Sequence, residues 1–315
     1  MLLDAVICET EVLASDTKLF RIRPTRGEDW VRAEPGSHID VNCFGELTRQ
    51  YSLFDLDEAG YYTIAVKRSK RAGGISEALH TTAVAGTRLR ISKPRNRFPL
   101  GAPAHAVLLA AGIGITPIYS MQQQLRAYGV GHHLHFFKRD AKLFRDRLAA
   151  AISEGAATLY EGMSSEQIRA TLYEILDVDH APNTHVFACG PAGFMDAVIE
   201  IAGRRLPTTH VHIERFQPIS GASDGQQRQF EVVLARSGVT CRVAQNETIL
   251  DALAKCSVKV DASCREGVCG ACVTRVLDGT PDHRDSFLTD AEKLGNEDVC
   301  LCVSRSHTPT LVLDL

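Results

Sequence analysis

The chain has 315 residues, 35 lysines and arginines against 38 aspartates and glutamates, and a formal charge of −3; no stretch carries the cationic excess that a phosphate backbone requires, which excludes a nucleic-acid binder. At 44% hydrophobic and 23% charged it is ordinary globular material, about two domains long by the usual prior of roughly 150 residues each. No run approaches the roughly 18 to 20 apolar residues that span a bilayer: Ala106 to Ile115, the longest, is about half that and holds two glycines. Met1-Leu2-Leu3-Asp4 has no basic n-region, so no signal peptide and a cytoplasmic location are expected. In that reducing compartment the ten cysteines are not expected to form a disulfide framework. Cys264, Cys269, Cys272, Cys300 and Cys302 cluster and suggest a metal, while Cys8, Cys43, Cys241 and Cys256 read as packing thiols.

Residues 1 to 102 carry short β-like runs, Leu2 to Cys8, Lys18 to Ile22, His38 to Val41, Gln50 to Phe54, Tyr61 to Val66 and Arg88 to Ile91, separated by Pro24, Gly36, Gly45 and Gly60. One helix, around Ser76 to Thr82, interrupts them. This spacing predicts an antiparallel barrel or sandwich. Arg49-Gln50-Tyr51-Ser52-Leu53 lies on one predicted strand and Ala65-Val66-Lys67 on another. Gly73-Gly74-Ile75-Ser76 then opens the helix, where backbone N–H groups can cradle a phosphate. An ordinary turn is the alternative.

From 103 to 217 strand and helix alternate, predicting a parallel α/β sheet covered on both faces. The helices are expected over Pro117 to Tyr128, Lys142 to Ala150, Ser165 to Leu176 and Phe194 to Ile201, with Ser164 and Gln167 as a capping box. After the first strand comes Ala111-Gly112-Ile113-Gly114-Ile115-Thr116-Pro117. This is not the G-x-G-x-x-G fingerprint, yet Gly112 and Gly114 precede a helix read as capped by Thr116, where a pyrophosphate can settle. The fourth strand ends in Cys189-Gly190-Pro191 and the fifth in Glu214-Arg215-Phe216. Cys189 as a buried thiol and Phe216 as a core ring are the plain alternatives.

Pro218 to Gln229 reads as an interdomain linker, with domain limits set at 218 to 228. From 229 to 315 a hairpin about Ser237-Gly238 and a short helix over Thr248 to Lys255 precede the cysteines. Cys264, Cys269 and Cys272 have the spacing C-x4-C-x2-C, and Cys302 follows after 29 residues. Four thiolates from a glycine-permissive loop can hold a binuclear iron–sulfur cluster. Zinc sites favour paired C-x2-C modules, of which there is one here. Cys300 competes with Cys302 as fourth ligand.

Residues 229 to 315 resemble a plant-type [2Fe–2S] ferredoxin of β-grasp fold. The Arg49 to Ser52 strand resembles the R-x-Y-S flavin motif of the ferredoxin-NADP reductase superfamily, and Cys189-Gly190-Pro191 resembles its C-G-P turn beside the nicotinamide. The order barrel, nicotinamide domain, ferredoxin is similar to that of the phthalate dioxygenase reductase and vanillate demethylase reductase group. That resemblance implies FMN, ending at a phosphate near Gly73, with Arg49 a stronger phosphate partner than Arg71. It implies NADH as donor, Ser52 and Cys189 beside the flavin–nicotinamide contact, and Phe216 as a gate against the flavin. Lys138-Arg139-Asp140 is ambiguous for the 2′ position of the dinucleotide: the cations suit a phosphate and the acid suits a free hydroxyl. The expected function is electron transfer from NADH through FMN and the cluster to a separate terminal oxygenase, Rieske-type by preference. The same chain serving a cytochrome P450 or a non-haem monooxygenase is the alternative, and a cluster-bearing redox sensor or scaffold without turnover is a rival of another class.

Overall fold

The computed structural model describes residues 2–43, 48–56, 60–69, 74–216 and 228–315. Gly73, Arg71 and the expected linker up to residue 227 lie outside the described residues.

Six strands close into an antiparallel barrel. They are β1 (Leu3–Ala14), β2 (Thr17–Pro24), β3 (Ser37–Asn42), β4 (Thr48–Asp55), β5 (Tyr62–Lys67) and, after helix α1 (Ile75–Thr81), β6 (Arg88–Ile91). Their order is β4-β5-β2-β1-β6-β3, with β3 pairing back onto β4, and the short β7 (Arg95–Asn96) lies beside β3. Closure leaves the six strands without a free edge, which decides between barrel and sandwich. Ile7, Phe20, Ile22, Ile39, Val41 and Leu53 fill the interior. Leu19, Phe54 and Ala65 face outward into a second core.

That second core belongs also to a five-stranded parallel sheet of β8 (His105–Ala111), β9 (Gly131–Lys138), β10 (Ala157–Glu161), β11 (Thr184–Cys189) and β12 (Val211–Glu214), in the order β10-β9-β8-β11-β12. Helix α2 (Ile115–Ala127) sets Ile115, Ile118, Met121 and Leu125 against it on the barrel side. The opposite face is covered by α4 (Ser165–Leu176) and α5 (Ala192–Ala202), reached after the short α3 (Ala149–Ser153). The α4 capping box is present: Gln167 N donates to Ser164 Oγ at 3.2 Å and Ser164 N to Gln167 Oε1 at 2.8 Å. Barrel and sheet meet where Gly36 N donates to Ser120 Oγ at 3.2 Å and where Phe54 packs edge-on to Tyr119 and Phe144. Residues Met1–Phe216 thus form one compact unit.

Two local readings are corrected. Thr116 is not the cap of α2: the chain passes from β8 through a single 3-10 turn over Gly112–Gly114, and Gly114 stands at the N-cap. The Thr116 hydroxyl instead donates to Ile113 O at 3.0 Å inside the first turn. The helix expected over Lys142 to Ala150 begins only at Ala149. Before it, the Lys138 ammonium takes the carbonyls of Ala141 and Leu143, and Phe144 sits at φ 55°, so the run stays in turns.

The second compact unit, from Gln217 on, has a mixed sheet in the order β14-β13-β19-β15-β17. Its strands are β13 (Phe230–Leu234), β14 (Thr240–Val243), β15 (Val273–Asp278), β17 (Asp298–Cys300) and β19 (Thr310–Leu313). A separate ribbon pairs β16 (Pro281–Asp282) with β18 (Arg305–Ser306). Helix α6 (Ile249–Lys255) is capped by Thr248 Oγ1, which accepts from Asp251 N, and α7 (Asp290–Gly295) carries a Thr289/Glu292 capping box. Cys241 on β14 and Cys256 at the end of α6, expected as separate packing thiols, are brought together as a disulfide with Cα atoms 6.4 Å apart. Packing α6 against β14 is what makes them neighbours.

Candidate functional site

Along β4 the side chains alternate, so Arg49, Tyr51 and Leu53 share one face and Gln50, Ser52 and Phe54 the other. Leu53 and Tyr51 turn to the barrel core, and burial raises the Tyr51 phenol far above its ordinary range. Ser52 is buried on the face that Phe54 shares with the parallel sheet. Gln50 is held at the side: its Nε2 donates to Asp40 Oδ1 at 3.1 Å, an oxygen that also receives Arg95 at 2.6 Å. On β5, Ala65 faces the second core and Val66 the barrel interior, while Lys67 is exposed and pairs with Asp16 at 3.3 Å. Ile75 is buried, and Ser76 Oγ accepts from Ser69 N at 3.2 Å. Among the described residues, its chain neighbours aside, no atom lies within 4 Å of where a Cβ on Gly74 would stand, so the backbone there is open to a phosphate.

The crevice follows from the strand order. The chain leaves β8 toward β9 and β10 on one side and returns to β11 on the other, so the switch point lies between β8 and β11. The turns after these two strands are the two glycine turns that the sequence singled out. They touch: a Cβ on Gly114 would collide with the Cys189 carbonyl and stand 2.8 Å from Gly190 N, and one on Gly190 would stand 2.8 Å from Ala111 Cβ. Gly112, at φ 57°, has open space before it. Pro191 stands at the N-cap of α5 with no side-chain cap, leaving first-turn N–H groups toward this end of the sheet. Phe216 packs partly buried against the core that contains Cys189, Phe54 and Ala65. Arg139 is exposed immediately beyond β9.

Cys189 is fully buried, and burial pushes its thiol well above the ordinary value. Its partner on β12 in the sheet register is Glu214. Among the described residues the buried Glu214 Oε2 has no hydrogen-bond partner, and burial pushes the carboxyl up to about 8. A carboxyl kept protonated here can donate a hydrogen bond toward the crevice mouth. Glu214 lies in the Glu-x-Phe segment, but no role for it was legible without the register that sets it beside Cys189. Because its folded pKa lies above the ordinary glutamate value, the folded chain retains a proton that the unfolded chain releases. Stability from this group is full at low pH and is lost as pH rises toward about 8. Melting temperatures measured from pH 5 to 9 should therefore fall less in Glu214→Gln than in the parent chain; parallel curves would exclude the buried proton.

In the second unit the loop 264–272 turns through Arg265, Gly267 and Gly270, all at positive φ. Cys264, Cys269, Cys272 and Cys302 are buried together. The Cys264 sulfur is within hydrogen-bonding reach of those of Cys269 and Cys302, and the Cys272 sulfur of those of Cys300 and Cys302. Cys302 thus reaches the sulfurs of both Cys264 and Cys272, whereas Cys300 lies on β17 opposite Val273 and reaches that of Cys272. Backbone N–H groups point at the sulfurs: Glu266 N at Cys264 Sγ, 3.3 Å; Cys264 N at Cys269 Sγ, 3.4 Å; Ala271 N at Cys269 Sγ, 3.5 Å. Such donors stabilise thiolates and suit a bound cluster. Among the described residues no group of three or more His, Cys, Asp or Glu is arranged to hold a metal ion; a [2Fe–2S] cluster asks for two thiolate pairs, one on each iron. The loop is backed by Asp285, whose Oδ2 accepts from Phe287 N and Leu288 N, setting the Phe287 ring over Gly270.

Comparison with known proteins agrees with both units. Residues 4–100 match the family described as oxidoreductase FAD-binding domain, and residues 232–307 the 2Fe-2S iron-sulfur cluster binding domain. The chain is 35% identical to a vanillate O-demethylase oxidoreductase of Pseudomonas sp. (strain HR199 / DSM 7063), over 100% of both chains. Among solved structures, phthalate dioxygenase reductase matches with a TM-score of 0.74 at 33% identity, covering 100% of this chain and 98% of that one. An intact type IV self-sufficient cytochrome P450 monooxygenase matches with a TM-score of 0.85 at 34% identity, covering 100% of this chain and 41% of that longer one. No helix among the described residues is long and apolar enough to cross a membrane. With a flavin-binding barrel, a parallel α/β sheet and a [2Fe–2S] domain in one chain, the protein belongs to the phthalate dioxygenase reductase and vanillate O-demethylase reductase family of oxidoreductases.

Proposed function

We propose that this protein is the cytoplasmic reductase of a multicomponent oxygenase, taking electrons from NADH by way of FMN and a [2Fe–2S] cluster to a separate, Rieske-type terminal oxygenase. The observation that carries the reading is the pair of interlocked glycine turns at the sheet's switch point, against the core that also receives the Ser52 face of the barrel, in a chain that also carries the four-cysteine loop. The end-to-end likeness to a vanillate O-demethylase oxidoreductase supports it. The domains are taken as 1–102, 103–217 and 229–315, with 218–228 as linker. The sequence has no C-x-H Rieske pair, so oxidation of the final substrate is assigned to the partner.

When bound, the flavin supplies hydride acceptance and release of single electrons, and the cluster carries one electron at a time. The chain's own residues bind and orient. Arg49 and the helix-start segment Gly73-Gly74-Ile75-Ser76 hold the flavin phosphate, with Gln50, Tyr51, Ala65, Val66 and Lys67 supplying the strands around it. Gly112, Gly114 and the first turn at Thr116 receive the dinucleotide pyrophosphate. Ser52 and the Cys189-Gly190-Pro191 turn would set the approach of nicotinamide to flavin, and Phe216 would act as the gate at the flavin face. Positioning, and not acid–base catalysis, supplies the rate. Cys264, Cys269, Cys272 and Cys302 hold the irons.

A second reading has its own support: the match at a TM-score of 0.85 is to a cytochrome P450 monooxygenase, so a P450 is the alternative acceptor. Acid extraction of the holoprotein should release FMN, and iron analysis should give about two irons per chain. FAD in the extract would overturn the flavin assignment, and zinc in place of iron would overturn the relay.

A further inference from the structure

The three residues after the second strand of the parallel sheet do not remain equivalent once folded. The Lys138 ammonium is fully buried, donating to the carbonyls of Ala141 and Leu143 and lying 3.5 Å from Glu161. Asp140 is spent in the opposite direction. Its Oδ2 accepts from Ser15 N at 3.1 Å and Ser15 Oγ at 3.0 Å, tying the β1–β2 turn of the barrel to the sheet, and its Oδ1 accepts from Lys142 N at 2.9 Å. These bonds hold the carboxyl below its ordinary value, so it stays an anion engaged by three donors. Arg139, between the two, is exposed, and among the described residues its guanidinium has no partner.

The end of the second strand is where a dinucleotide fold reads the adenosine ribose: a free acid takes the 2′-hydroxyl, and a free arginine takes a 2′-phosphate. Here the acid is withdrawn and the arginine is free. Resting on the reading of this crevice as a nicotinamide-dinucleotide site, we propose that Arg139 is the specificity-determining residue for the 2′ position and that it admits the 2′-phosphorylated dinucleotide as a working electron donor. Asp140 acts only through the backbone it fixes to Ser15. Asp140 keeps its negative charge, but its oxygens are engaged by Ser15 and Lys142 and Glu161 is paired with Lys138 and Arg145, so Arg139 is the group left to meet the 2′ position, where a guanidinium–phosphate contact is a strong charge-assisted hydrogen bond.

The test uses the holoprotein, ferricyanide as acceptor, and both NADH and NADPH. The proposal expects NADPH turnover within about ten-fold of NADH in kcat/KM, and a drop of the NADPH to NADH ratio by roughly ten-fold or more in Arg139→Ala, and further in Arg139→Glu. As a readout independent of turnover, 2′,5′-ADP should compete more tightly than 5′-AMP with the parent chain and lose that advantage in Arg139→Ala. Robust NADH activity with equal inhibition by the two nucleotides, or with a ratio that Arg139→Ala leaves unmoved, overturns the proposal and leaves the crevice reading standing. Absence of reduction by either dinucleotide overturns the crevice reading itself.

Discussion

Replacing Gly114 with alanine is expected to lower kcat/KM for the nicotinamide donor by about 10²-fold, the cost of displacing reacting groups by roughly an ångström. The added methyl would be driven into the Cys189 carbonyl and toward Gly190 N, backbone on both counts, so neither neighbour can swing away as a side chain would. The two turns must part, at an overpacking cost of roughly 1–3 kcal/mol. Because Gly112 has open space around it, Gly112→Ala spares this contact and strains only its own φ of 57°. Stopped-flow reduction of the flavin by NADH measures both variants. Comparable rates for Gly114→Ala and the parent chain would mean that the interlocked turns do not form the donor site.

Gly270→Ala is expected to empty the cysteine loop of iron while the flavin stays bound. Gly270 sits at φ 70°, where any other residue costs about 1–2 kcal/mol, and a methyl there would overlap the Phe287 ring. The main chain carrying that ring is fixed, because Phe287 N and Leu288 N donate to the buried Asp285, so the ring itself must turn away to admit the methyl. Gly267 is similarly confined, with Val303 Cγ2 2.6 Å from the position of an added Cβ. Iron content and the visible cluster bands should fall to well under half in Gly270→Ala. Full iron with an unchanged spectrum would show that the loop does not need this turn to present its sulfurs.

The strands of the barrel were legible as short β-like runs between breakers, even though β3 and β5 are buried at nearly every position, and their closure was not, because pairing β3 back onto β4 depends on twist and not on any local signal. The cysteine spacing pointed to its loop directly, since three of the four sulfurs come from nine consecutive residues. What the sequence could not display was competition for the same atoms. Lys142 to Leu148 has a helical pattern, but the buried Lys138 ammonium takes two of the carbonyls that the helix would use. Thr116 has the chemistry of a cap, yet the glycine turn before it begins the helix sooner. Glu214 and Asp140 drew their roles from partners across the sheet and across the barrel, Cys189 and Ser15, far away in sequence. Cys241 and Cys256 met only when α6 packed on β14.

The central claim is an ordered relay, with the cluster loading after the flavin. Replacing Cys272 with serine in the holoprotein tests it most directly, by comparing NADH-driven reduction of cytochrome c, a one-electron acceptor served by the cluster, with that of ferricyanide. The relay predicts that cytochrome c reduction falls to background while the flavin stays bound and much of the ferricyanide activity survives. Equal loss of both activities with the flavin still in place would contradict it.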